Sequence, residues 1–115
     1  FGWGARRRSE AIARQRVVVQ ESQRDQLRDQ IIRDETDAWS SIENSLSQSL
    51  ASRRNLDIAR ENLELSTYSY NEGQLTILDV LSAQLSWLQV YENALEAALH
   101  LHLAVADYRR VTSSE

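Results

Sequence analysis

From Ala5 to Glu72 the chain meets neither proline nor glycine, and its apolar residues recur at spacings of three, four and seven. Leu27, Ile31, Ala38, Ile42, Leu46, Leu56, Ala59, Leu63 and Tyr70 fall near heptad positions, but between Gln20 and Asp37 only Leu27, Ile31 and Ile32 are large and apolar. This periodicity predicts a helix over about 5–72, roughly 100 Å long at 1.5 Å per residue. A stripe so thin cannot form the core of a globule. It needs neighbours along a narrow seam and water over most of its surface.

A denser pattern follows. Ile77, Leu81, Gln84, Leu88, Tyr91, Leu95, Ala98, His102 and Val105 step four then three; Val80, Ala83, Trp87, Val90, Ala94, Ala97, Leu101, Ala104 and Tyr108 step three then four. Two adjacent seams predict a second helix, over about 76–112, with a neighbour on each side instead of the single partner of a two-stranded zipper. Ala83, Ala94 and Ala97 would let one neighbour approach closely.

Between the helices lies Tyr70-Asn71-Glu72-Gly73-Gln74-Leu75-Thr76, with the only glycine after residue 4. Glycine adopts a left-handed conformation at little cost and so ends a helix. Thr76 and Asp79 have the spacing of a capping box, a hydroxyl at the N-cap and a carboxylate three residues later. The expectation is an all-α, long antiparallel hairpin with its tip turn at 73–75. The shorter return helix leaves residues 5–36 without a partner in this chain. They are expected to pair with other segments of a longer protein or with other copies. An opening Phe1 in place of Met also reads as a fragment or processed product.

Composition narrows the chemistry. The 115 residues include no cysteine and no proline, and all 13 basic residues are arginine. Thiolate, Schiff-base and P-loop lysine mechanisms are therefore excluded. No Gly-rich loop or nucleophile-elbow pattern occurs, so the reading is a non-enzyme without cofactor. The net charge of −4 disfavours nucleic acid as main partner. No apolar run reaches the roughly 18 residues of a membrane-spanning helix. His100 and His102, two apart, point to different sides of a helix, which predicts wall residues and no metal site. Arg6-Arg7-Arg8 is read as a solvated helix start that could also touch phosphates.

The stretch from Tyr70 to Thr112 resembles the closing hairpin of TolC-family outer-membrane efflux proteins. The residues that carry the resemblance are Tyr70, Gly73 and Thr76, then "LDVLSAQ", and the alanine-rich heptads leading to Tyr108. "NLDIARENLELSTYSY" upstream is similar to the family's approach to the tip, and "FGWGARRR" to the handover from a barrel strand. The resemblance implies a trimer with an outer-membrane β-barrel, absent from this chain, and an α-helical barrel through the periplasm of a Gram-negative envelope. The hairpin would be a segment of the tube wall. Its tip, Tyr70, Glu72, Gly73, Gln74, Leu75, Thr76 and Asp79, would dock a periplasmic adaptor (membrane fusion protein) that joins the duct to an inner-membrane pump.

Each tip residue also has a plainer reading. Tyr70 either gates the entrance or packs at a helix end. Asp79 either caps α-helix or lines an acidic entrance ring. Glu72 is a solvated last-turn residue, mildly opposed by the helix dipole, or an adaptor contact. Leu75 stands where some family members carry arginine, so a gate built on that arginine's ion pairs is not expected. Phe1 and Trp3 would join an interfacial aromatic belt. Two other classes compete: an adaptor-type hairpin, whose helices would match in length, and a purely structural coiled coil, which explains the heptads but not Tyr70 to Gln84.

Overall fold

The computed structural model describes residues 2–113, so the expectation for Phe1 lies outside the described residues. Two helices account for nearly all of them: α1 (Gly2–Asn71) and α2 (Ile77–Ser113). No strand occurs among the described residues. The helix expected over about 5–72 starts at Gly2 and closes at Asn71; the one expected over about 76–112 starts at Ile77 and ends at Ser113. The chain divides into two compact units, Phe1–Asp37 and Ala38–Glu115.

Within the first unit every described residue except Glu35 is exposed. Ile12, Val17, Val18, Val19, Leu27 and Ile32 are all among the exposed large hydrophobic residues. The helix here rests on good helix formers and on one-turn side-chain pairs: Gln30 donates to Asp34 at 2.9 Å and Arg33 to Gln30 at 3.0 Å. Burial on α1 begins at Ala38, in the second unit, and α2 ends at Ser113, five residues past the Tyr108 that meets Trp39.

The second unit is an antiparallel hairpin held by a seam of small side chains. On α2 the covered positions are Val80, Ala83, Ala97 and Ala104, all buried, with Trp87, Val90, Ala94, Leu101, Tyr108 and Val111 half-buried between and after them. This is the second of the two predicted seams. On α1 the covered positions are Ala38, Ile42, Ser45, Ser49, Ser52, Leu56, Ala59, Leu63 and Ser66. They keep an unbroken three–four spacing. The prediction for α1 was therefore partly wrong: Leu46 and Tyr70, expected in the stripe, are 45% and 41% exposed, and Ser45, Ser49, Ser52 and Ser66 stand in the seam without having been expected there. Size decides here, not polarity: facing alanines bring the backbones close, and serine is small enough to fit. No described side chain is both fully buried and large.

Register follows from the turn and from packing. Trp39 and Tyr108 meet with ring centroids 5.6 Å apart, far from the tip on both strands of the hairpin. The two ion pairs among the described residues, Asp57–Arg60 and Asp107–Arg110, lie within single helices and are exposed. Such pairs contribute at most a few tenths of a kcal/mol each, so charge does not set how α1 meets α2.

Candidate functional site

The tip is built from two local motifs. On the incoming side, the Gly73 amide donates to the Tyr70 carbonyl at 2.9 Å and the Gln74 amide to the Ser69 carbonyl at 2.8 Å. Together they form a Schellman closure, which needs a left-handed residue at its hinge. Gly73 supplies it with φ of 77°. On the outgoing side, the Thr76 amide donates to Asp79 Oδ2 at 2.9 Å, and the Thr76 hydroxyl donates to the same oxygen at 3.0 Å. The Asp79 amide donates to the Thr76 carbonyl at 3.1 Å and reaches Thr76 Oγ1 at 3.4 Å. Thr76 and Asp79 thus cap α2 reciprocally.

All residues from Tyr70 to Asp79 are exposed, and burial begins at Val80. The turn is fixed by backbone hydrogen bonds, not by burying its side chains. That leaves an ordered knuckle with Leu75, Ile77 and Leu78 in solvent beside Tyr68 and Tyr70. Apolar side chains on a rigid turn, flanked by the carboxylates of Glu72 and Asp79, make a surface suited to a protein partner. Gln74 sits at its centre with an exposed side chain. Asp79 uses Oδ2 in the cap, and Oδ1 makes no hydrogen bond among the described residues. The Tyr70 hydroxyl likewise makes no hydrogen bond among the described residues.

The other predicted seam of α2 is uncovered over its first half, where Ile77, Leu81, Leu88, Tyr91 and Leu95 are exposed large hydrophobic residues, while Ala98 and Val105 farther along it are half-buried. The pattern reading missed a second row beside it: Leu78, Leu85 and Leu99, exposed by 72%, 69% and 56%. The signal was present in the sequence as a run of leucines at seven-residue intervals, obscured by Glu92. Trp87 and Tyr91 stack with centroids 5.3 Å apart, linking the covered seam to the uncovered one.

The opposite flank of the hairpin is polar. Gln48, Ala51 and Ser52 of α1 face Asn93, Glu96, Ala97 and His100 of α2 across an open recess of about 310 Å³. Ser41 and Ser45 face His100, Leu103, Ala104 and Asp107 across another. His102 lies apart from His100, in the uncovered seam. Among the described residues no group of three or more His, Asp or Glu is placed to hold a metal ion. No described helix is long and apolar enough to cross a membrane.

No known protein-family model, curated protein or solved structure matches this chain.

Proposed function

We propose that this chain is a tube-wall segment of a TolC-like outer-membrane efflux or secretion duct, and that its hairpin tip docks a periplasmic adaptor. The observation that carries the reading is the pairing of an ordered, wholly exposed tip with a second apolar seam on α2. A hairpin that works alone has no use for that seam. A wall helix, with one neighbour on each side, requires it. The resemblance of Tyr70 to Gln84 to the family's tip adds the identity of the wall. In this reading the duct is a homotrimer in the Gram-negative outer membrane. Its periplasmic part contains this hairpin, and an inner-membrane pump supplies the cargo. The protein positions and conducts; it carries out no bond chemistry.

The wall is tested by a photo-crosslinker on a cysteine at Leu88 in the assembled protein in cells. Crosslinks to helices of the same protein, from its own or a neighbouring copy, are the expected result. Absence of any protein crosslink from a correctly assembled protein contradicts the wall.

A further inference from the structure

Charge is segregated along the chain in a way the duct reading does not use. Arg6, Arg7, Arg8, Arg14 and Arg16 fall in the first sixteen residues with a single acid, Glu10, while the remaining residues hold eight arginines and sixteen acids. None of these five arginines makes a hydrogen bond or ion pair among the described residues, and all are exposed. Glu10 lies three or four residues from Arg6, Arg7 and Arg14 but closes no ion pair with any of them.

Their placement is specific. At about 100° per residue, Arg6, Arg7 and Arg8 fan around the helix, Arg14 returns beside Arg7, and Arg16 stands opposite it. The result is a collar around the whole circumference, about 15 Å deep. Trp3 precedes it and is 80% exposed, the highest value of any large hydrophobic residue described. Trp3, Arg6, Arg7 and Glu10 line one open recess of about 410 Å³.

We infer that this collar binds anionic phospholipid head groups, with the α1 axis steep to the phosphate plane and the Trp3 ring seated among the acyl carbonyls. A helix lying flat on a surface needs its basic residues on one side. A helix crossing the head-group layer meets phosphates on all sides, which is what a collar matches. Guanidinium forks pair with phosphate oxygens in bidentate fashion, and tryptophan favours that interface for its apolar body and polar N–H. A long polyanion running along the helix fits worse. It would next meet Glu21, Asp25, Asp29, Asp34, Glu35 and Asp37, against only Arg24, Arg28 and Arg33. The inference is argued from residues 3–16 alone; the duct reading also sets Trp3 at a membrane interface, but failure of lipid binding would leave docking at the tip untouched.

The test is flotation of the 115-residue chain with vesicles of phosphatidylcholine alone or with about one third phosphatidylglycerol. Binding is expected only to the anionic vesicles. Replacing the five arginines by glutamine is expected to weaken it roughly a hundredfold or more, with helicity by circular dichroism unchanged. Brominated acyl chains are expected to quench tryptophan emission, and Trp3→Phe to remove that quenching. Equal binding to neutral vesicles, or undiminished binding by the glutamine variant, overturns the inference. Tighter binding to a single-stranded polynucleotide at equal phosphate concentration also overturns it, in favour of a nucleic-acid partner.

Discussion

Trp39 and Tyr108 pack with centroids 5.6 Å apart and ring planes inclined by 60°. Their contact fixes the end of the hairpin seam farthest along the chain from the turn, as Gly73 fixes its beginning. Between them the two helices meet through alanine, serine and a few larger side chains. Truncating one aromatic partner removes the tilted ring contact and part of its buried area. Tyr108→Ala is expected to destabilise the hairpin by about 2 kcal/mol, read as a lower urea midpoint with an unchanged slope. A midpoint that does not move would mean the contact holds nothing in place.

Gly73 has a positive φ, and nothing lies within 4 Å of where a Cβ would sit. The cost of a side chain there is therefore backbone strain and not collision. Gly73→Ala is expected to cost about 1–2 kcal/mol, and Gly73→Asn less, since asparagine tolerates the left-handed region. Equal stability of the two variants would show that the turn reorganises instead of straining.

Thr76 and Asp79 share one cap, so their substitutions are not independent. Thr76→Ala and Asp79→Ala are each expected to cost about 1 kcal/mol. The double variant should cost clearly less than the sum, because removing either partner already opens the box. Additive losses in urea unfolding would separate the two roles and release Asp79 from the cap.

The seam tolerates small residues of either polarity. Ser49 is buried to 8% exposure, but it competes for volume more than for hydrogen bonds. Ser49→Ala should be neutral or slightly stabilising, given alanine's better helix propensity. Ser49→Leu should cost about 1–3 kcal/mol by forcing the helices apart. A stable leucine variant would mean that the seam is looser than its burial indicates.

The uncovered leucines of α2 predict association of the isolated chain. Light scattering should find an oligomer at micromolar concentration, and Leu81→Gln, Leu88→Gln and Leu95→Gln together should return it to a monomer with its helicity intact. A wild-type monomer at high concentration would show that water covers this face without penalty.

Much of the fold was legible in the sequence, for reasons that differ by element. Gly73, Thr76 and Asp79 form motifs whose chemistry is local, so spacing alone placed the turn. The covered seam of α2 was legible because apolar residues, Val80, Ala83, Trp87, Val90, Ala94, Ala97 and Leu101, keep an uninterrupted three–four step. The matching seam of α1 was not. A count of apolar residues passes over Ser45, Ser49, Ser52 and Ser66 and selects Leu46, which faces solvent. Volume at an alanine-lined contact is set by both helices together, and one strand's pattern does not contain it. The role proposed for the tip rests on a resemblance, since docking depends on the chemistry of a second molecule.

The most direct measurement concerns that second molecule. A single cysteine at Gln74, unambiguous in a chain without native cysteine, carries a short photo-crosslinker in the assembled protein in living cells. The account predicts crosslinks that map by mass spectrometry to the helical hairpin of a periplasmic adaptor. Leu75→Asp should abolish them without lowering the amount of protein in the outer membrane. Crosslinks only to other copies of the same chain, with assembly verified, would contradict adaptor docking and leave a structural coiled coil.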